Sequence, residues 1–438
     1  MTEWFASLSQ WLEANPEWLG LSIFVIACLE CLAVAGILIP GTVVLFALGV
    51  LAGSGTLSLG ETLLLAMAGG LLGDAISYGL GRYFHQGIRR MPVLRDHPEW
   101  LAGAEGYFQR YGVVSLLVGR YIGPLRPMLP LVAGMLDMPV VRFALVSLLA
   151  AAGWSVAYLL PGWATGAALR LPLADGFWQA AGIIAAGIAL LLLLIMNSSL
   201  REQRRTTWVA VGACVLFLIA LLFGIPHLGA LDQGLNALVQ EQRSTGLDSL
   251  ALLITGLGDF RTQVAAGVLL TLLLVLSRRF QAAVYVACCM LFTALITTGL
   301  KHLFSRTRPD VLHQPLDAFS LPSGHSSAAF AFFLALGVLA GRGAAARTRL
   351  TWLLLASLPA VCIAASRVYL GVHWPTDVLA GALLAGSVCA ACLAWLQRHA
   401  PMAPLGARVW WLILPATLAL LAAISAWSLP EAIQRYRY

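Results

Sequence analysis

Residues 207–225 read TWVAVGACVLFLIALLFGI, an uncharged stretch that directly follows Arg201, Glu202, Arg204 and Arg205. A helix needs about 20 apolar residues to cross the hydrocarbon core of a bilayer. The stretch therefore predicts a membrane-spanning helix with a basic edge. Comparable runs recur near 60–83, 139–161, 176–196, 282–300, 324–341, 351–368, 376–396 and 409–427, with a shorter one at 262–276. Two more are interrupted. Residues 19–53 carry Glu30 and break at Pro40-Gly41, and residues 112–136 carry Arg120 and Arg126 among Pro124, Pro127 and Pro130. Hydrophobic residues make up 60% of the 438, and charged residues 11%, against roughly 25% charged in soluble domains. The expected fold class is an all-α polytopic integral membrane protein. The net charge of +7 falls mostly in short turns between apolar runs, where it sets orientation. It does not mark a nucleic-acid surface.

The charged seam at Asn197–Thr207 separates a domain expected at 1–200 from a second at 201–398, with an additional transmembrane segment in 399–438. The polar stretch 226–261, with Asp232, Gln240, Glu241, Arg243, Asp248 and Asp259, reads as a loop or surface helix. If 201–205 is cytoplasmic, the same side collects Arg278, Arg279, Arg342, Arg347, Arg349, Arg398 and Arg408. The opposite side holds few, so the positive-inside rule places the turns around Lys301, Arg308, His325, Arg367 and His373 outside. At the N-terminus, Glu3, Glu13 and Glu17 lie among Trp4, Phe5, Leu8, Trp11, Leu12 and Trp18. That pattern predicts an amphipathic interfacial helix, not a cleaved leader. The eight cysteines all lie in apolar runs and are expected to be small buried hydrophobes.

Lys301 is the only lysine among 27 basic residues. A compact ammonium and a planar guanidinium are different tools for holding phosphate oxygens. Lys301 is followed by Arg308-Pro309, then Pro322-Ser323-Gly324-His325, then Ser366-Arg367, His373 and Asp377. Two or three cations, two histidines and a carboxylate form a phosphoryl-transfer set. The three clusters resemble, complete and in order, the signature motifs of the type 2 phosphatidic acid phosphatase superfamily, over about 207–397. The resemblance implies a six-helix phosphatase bundle followed by one extra helix.

In that reading His373 is the nucleophile, and Asp377, four residues on, fixes its tautomer. His325 protonates the leaving oxygen and then activates water. Ser323 and Gly324 bring backbone N–H groups to a helix N-terminus, while Lys301, Arg308 and Arg367 hold the phosphate. No metal or other cofactor is expected, since the carboxylates are too dispersed for a two-metal centre. Arg306 reads as a membrane-edge bystander, and His302 and His313 as surface or local hydrogen-bonding residues.

Ionisable residues inside apolar spans are functional candidates by default. The first half has Glu30, Asp74, Arg120 and Arg126. Asp74 sits in Gly73-Asp74-Ala75-Ile76-Ser77-Tyr78-Gly79-Leu80-Gly81-Arg82, and the arginines in Gly119-Arg120-Tyr121-Ile122-Gly123-Pro124-Leu125-Arg126-Pro127. Over about 15–200 this pattern is similar to the DedA (VTT, SNARE-associated) family, although Gly123-Pro124 stands where Pro-Gly is more usual. The resemblance implies a helical bundle with two re-entrant or broken helices. It also implies a transport site at Glu30, Asp74, Arg120 and Arg126 for a phospholipid or undecaprenyl phosphate. A structural ion-pair role for the four is the alternative. The expected partners are a lipid phosphate or diphosphate and the bilayer, with homo-oligomerisation left open. The expected location is a bacterial inner membrane with the phosphatase site facing the periplasm. Three functions stay open: phosphatase with translocation module, phosphatase with scaffold, or chiefly a transporter.

Overall fold

The computed structural model describes residues 11, 15–38, 41–90, 95–112, 114–121, 126–200, 206–311, 318–398 and 401–436. Most of the expected interfacial helix lies outside these residues, as do Pro40, Pro124, Arg201, Glu202, Arg204, Arg205, His313 and Arg437. Every regular element among the described residues is helical. Two compact units form, Met1–Leu173 and Ala174–Tyr438. The division falls upstream of the expected 200/201 boundary because the helix Phe177–Leu200 packs on Thr206–Gly224.

In the first unit, α1 (Pro16–Cys31) begins with Pro16, whose missing N–H costs nothing in a first turn. The chain turns at Val34, makes the single-turn α2 (Ala35–Leu38), and resumes as α3 (Gly41–Leu51). A wide turn, Ala52–Thr56, ends this segment, with Gly55 at φ 117°, a conformation suited to glycine. Ser58 and Glu61 cap each other's backbone to start α4 (Leu59–Phe84). α4 lies against α1 through Gly69 and Gly73; a Cβ on Gly69 would strike the Phe24 carbonyl. Small residues of this kind let membrane helices approach backbone to backbone. After α5 (Pro98–Tyr111), the second interrupted run, 112–136, holds α6 (Val114–Gly119) and α7 (Met128–Met135). α7 packs on α4 and α5, and α8 (Val140–Arg170) packs on α3 and α4. Among the described residues the first run breaks at Leu32–Val34, ahead of the expected Pro40-Gly41, and in the second run α6 ends at Gly119.

The second unit contains α9 (Phe177–Leu200), α10 (Thr206–Gly224), α11 (Gly229–Glu241), α12 (Thr245–Leu257), α13 (Phe260–Leu276) and α14 (Phe280–Phe304). It continues with α15 (Gly324–Ala340), α16 (Ala346–Tyr369), α17 (Pro375–Leu396) and α18 (Ala407–Arg435). α15 and α17 form its interior, with α14, α16 and α10 packed around them and α18 against α12 and α13. Residues 226–261 are neither a loop nor a lone surface helix. They fold mainly into α11 and α12, and Asp232 on α11 is buried at 1% exposure.

Among the described residues eight helices are long and apolar enough to cross a membrane, or nine if α12 and α13, bent by 45°, make one span. Trp411, Trp427, Phe223 and Leu303 face outward, as expected of surfaces that meet lipid. Cys362 is also exposed, whereas Cys31, Cys214, Cys289, Cys389 and Cys392 are buried as the sequence predicts.

Candidate active site

The predicted phosphatase residues converge at one end of the second unit. α14 ends just past Lys301, α15 begins at Gly324-His325, α16 ends just past Arg367, and α17 begins two residues after His373. Gly371, at φ 66°, turns the chain between the last two helices. His373 is buried in that turn. Its Nε2 lies 3.1 Å from Arg308 Nη1. A guanidinium only donates, so Nε2 is the acceptor and the ring proton rests on Nδ1.

Nδ1 is 3.5 Å from Asp377 Oδ2, longer than the direct hydrogen bond expected from the sequence. The carboxylate is already occupied. Oδ1 accepts from Arg306 Nη1 at 2.7 Å, and Oδ2 accepts from the Trp374 amide at 2.9 Å and from the Ser320 hydroxyl. Burial, then the positive charges of Arg308, Arg367 and Lys301, hold the His373 imidazole well below its usual pKa. It is therefore neutral near pH 7.

Arg308 is clamped by carbonyls: Nε donates to Ala318 at 2.6 Å and Nη1 to Val372 at 2.7 Å. Burial and the neighbouring Arg367 push its pKa down to about 10, which leaves it charged at neutral pH. Lys301 Nζ donates to the Phe319 carbonyl, and its Cε approaches Gly324 closely enough that a Cβ there would sit 3.9 Å away. Ser323 caps α15 through its hydroxyl, which accepts from the Ser326 amide, while its own amide donates to the Asp377 carbonyl at 3.0 Å. His325 follows in the first turn, its Nε2 3.9 Å from Asp259 Oδ2 and without a hydrogen-bond partner. Arg367 Nη1 donates to Thr255 Oγ1 at 2.7 Å and to the Tyr436 hydroxyl at 3.0 Å, and its buried Nε has no protein partner. The arrangement offers a neutral imidazole, a second imidazole and three cations to one anion.

The bystander reading of Arg306 is overturned. Its guanidinium bridges Asp377 to Asp232, with Nη2 2.6 Å from Asp232 Oδ2, and Nη1 also donates to Thr376 Oγ1 at 2.8 Å. Asp232 in turn accepts from the Thr376 amide and hydroxyl, at 3.0 and 2.6 Å. Burial raises the Asp232 carboxyl pKa, opposed by its bonds to Thr376 and Arg306. The available signal was Asp232, the one aspartate of α11, among that helix's apolar and uncharged polar residues. His302, by contrast, is exposed as expected. Arg306→Ala strands two buried carboxylates, so the second unit should lose about 3–5 kcal/mol. Its unfolding temperature in detergent should fall and Arg306→Lys should recover part of the loss. An unchanged midpoint in the alanine variant would show the bridge to be inert.

In the first unit all four predicted charges meet as two buried ion pairs, Glu30 with Arg126 and Asp74 with Arg120. Arg126 Nε also donates to the Arg120 carbonyl at 3.0 Å, and Arg120 Nη2 to Cys31 Sγ at 3.4 Å. The sequence reading missed the aromatic wall on α8. Trp154 lies 5.0 Å from the Arg120 guanidinium and 5.7 Å from that of Arg126, and Tyr158 lies 4.9 Å from Arg126. Rings offer cations a favourable face inside a low-dielectric interior. Glu30 Oε2, Asp74 Oδ1 and Arg120 Nε are buried without hydrogen-bond partners.

A VTT domain family model matches residues 39–164, and a PAP2 superfamily model matches residues 282–401. Inner membrane protein YabI of Escherichia coli (strain K12) is 36% identical over 38% of this chain and 66% of YabI. An uncharacterized membrane protein of Buchnera aphidicola subsp. Baizongia pistaciae is 31% identical over 46% of this chain and 82% of its own length. The crystal structure of a PAP2 type phosphatidylglycerolphosphate phosphatase from Bacillus subtilis is similar with TM-score 0.38 and 23% identity, over 42% of this chain and 93% of that one. The fold is that of a multi-pass helical membrane protein. The chain belongs to the VTT (DedA) family through its first unit and carries a PAP2 superfamily domain in its second. It spans just under two thirds of the length of YabI.

Proposed function

We propose that the second unit is a lipid-phosphate phosphatase that works through a phosphohistidine on His373. The observation that carries this reading is the buried neutral imidazole with its Nε2 lone pair directed at Arg308 and surrounded by Lys301, Arg367 and His325. Nε2 attacks phosphorus in line, and the phosphorus–oxygen bond to the lipid breaks. His325 enters as the imidazolium paired with the phosphate dianion and gives its proton to the departing oxygen, which leaves it neutral, and Asp377 faces the charge gained by the His373 ring. Water, deprotonated by His325, then attacks the phosphohistidine; inorganic phosphate leaves and neutral His373 returns. Lys301, Arg308 and Arg367 balance the charge on the equatorial oxygens.

The surrounding spans favour a substrate that reaches the site from the bilayer. A lipid diphosphate such as undecaprenyl diphosphate fits this scheme, as do phosphatidic acid and phosphatidylglycerol phosphate. The arginine distribution favours an inner-membrane protein with the site facing the periplasm. The first unit would return the dephosphorylated lipid, one chain holding both modules at high effective concentration. The fully formed Glu30–Arg126 and Asp74–Arg120 pairs favour a second reading, in which the first unit is only a scaffold.

The test is phosphate release from these three lipids in mixed micelles by the purified full chain with excess EDTA. Release should persist in EDTA and be inhibited by vanadate, which resembles the pentacoordinate transition state. Activity lost in EDTA and restored by a divalent cation would overturn the scheme. Lys301→Arg is expected to lower turnover at least about tenfold, since a fork does not replace a point-charge donor. Wild-type turnover in that variant would make the lone lysine a compositional accident.

A further inference from the structure

We propose that the C-terminal helix α18 is part of the phosphatase site, and that the Tyr436 hydroxyl positions Arg367 for the phosphate. This rests on the phosphatase reading and extends it to a residue beyond the PAP2 match, which ends at 401. α18 is anchored where it passes the site. Ser425 Oγ donates to the Leu253 carbonyl at 2.8 Å, and a Cβ on Gly256 would meet the Ser425 hydroxyl at 2.6 Å. Beyond the last turn, Tyr436 is buried in an apolar cluster with Ala251, Leu370 and Val372. Leu370 and Val372 belong to the turn that carries His373, so the ring is built into the wall of the site.

The polar end of that ring meets Arg367. The hydroxyl accepts from Nη1 at 3.0 Å, and the guanidinium carbon lies 5.1 Å from the ring centroid. Thr255 Oγ1 accepts from the same nitrogen at 2.7 Å. Two acceptors thus match the two hydrogens of Nη1 and fix the plane of the fork. Nε–H is left buried and unpaired, in a cluster whose other members are His325, His373 and Arg308. A buried donor without a partner is costly, and an oxyanion at this place satisfies it. A guanidinium swinging on its long side chain would have to be ordered by the substrate at each turnover; one already fixed in plane is pre-organised. Tyr436 is therefore a positioning residue that acts through Arg367 and itself makes no contact with the reacting atoms.

The experiment compares the purified full chain with Tyr436→Phe, Arg367→Lys, the double variant and His373→Ala. Two readouts are used: hydrolysis of short-chain phosphatidic acid, and thermal protection by orthovanadate. Tyr436→Phe keeps the ring and its packing but removes the acceptor. We expect kcat/KM to fall about tenfold, the scale of one hydrogen bond to a charged group, with vanadate protection weakened and the vanadate-free unfolding temperature within a degree or two of wild type. In the Arg367→Lys background the same change should add less than about twofold, because groups acting as one unit are not additive. Wild-type hydrolysis and wild-type vanadate protection in Tyr436→Phe would overturn the assignment. So would a full tenfold loss repeated in the Arg367→Lys background. If the intact chain neither hydrolyses the lipid nor is protected by vanadate, the phosphatase reading falls and takes this assignment with it. If the intact chain is active, His373→Ala is dead and Tyr436→Phe is normal, only the assignment falls.

Discussion

His373→Ala is expected to cut phosphate release by on the order of ten-thousandfold or more, the scale of losing a member of a catalytic triad. The size of the effect follows from the geometry. Nε2 of His373 accepts a hydrogen bond from Arg308, and its ring is neutral because it is buried among Arg308, Arg367 and Lys301. Asp377 Oδ2 faces the far side of the His373 ring at 3.5 Å, whereas His325 has Asp259 Oδ2 at 3.9 Å from its Nε2. His325→Ala should also be severely impaired with a lipid alcohol as leaving group. It should be less so in the first step with p-nitrophenyl phosphate, whose leaving group needs no proton, and phosphoenzyme should then accumulate. The pH dependence has a definite sign. His373 loses nucleophilicity only when protonated, and its pKa lies below the ordinary imidazole value. The acid limb of kcat/KM that belongs to this group should therefore fall below about pH 6.5. The same depression lowers stability on acidification: below about pH 6.5 the unfolded imidazole binds a proton that the folded one refuses. Measurable turnover in His373→Ala close to wild type would end the phosphohistidine scheme.

What could be read in the sequence divides by distance along the chain. His373 and Asp377 are four residues apart, and the resemblance of three short clusters to a known motif set brought Lys301, Arg308, Ser323, Gly324, His325 and Arg367 into one site. The residues that support them carried no such mark. Arg306 pairs with Asp232 from 74 positions away, and Arg367 bonds Tyr436 from 69 positions away. Neither pair produces a periodicity or spacing that a single sequence displays. An arginine beside a membrane edge is usually an anchor, so the prior concealed Arg306 until the fold closed around it. In the first half the charges themselves were conspicuous, because apolar spans rarely tolerate them. Their pairing was not: Glu30 meets Arg126 across 96 positions, and Asp74 meets Arg120 across 46. In the first interrupted run the described break lies at Leu32–Val34, where neither proline nor glycine stands to mark it. The helix Phe177–Leu200 joined the second unit against expectation, since the charged seam marks a turn between two helices that pack together and says nothing of which unit owns the first.

Neutralising the first unit's charges should separate lipid movement from hydrolysis. Each single change, such as Asp74→Asn or Arg126→Gln, removes one partner of a buried ion pair and should cost about 3–5 kcal/mol in that unit. Removing both partners together, as in Asp74→Asn with Arg120→Gln, strands no charge and should recover most of that stability. The pair of measurements distinguishes the two roles left open for these residues. If the pairs only hold the fold, the double variant regains lipid movement together with stability. If the charges act on the cargo, the double variant folds but still moves no lipid, since guanidinium groups suited to a phosphate and carboxylates able to carry a proton are gone. We expect the second outcome, with at least about tenfold slower transfer, as for a contact worth 1.4 kcal/mol. The wall formed by Trp154 and Tyr158 holds both arginines over aromatic faces, and Arg120 Nε, Glu30 Oε2 and Asp74 Oδ1 all lie buried without hydrogen-bond partners. A purely structural ion-pair network would gain by satisfying those atoms. Phosphate release in micelles should stay near wild type in every such variant, because none of these residues belongs to the phosphatase cluster. His373→Ala should do the reverse, leaving transfer of an already dephosphorylated lipid intact in sealed vesicles. Loss of both activities in each folded first-unit variant would overturn the two-module reading and leave the first unit as a scaffold on which the phosphatase depends.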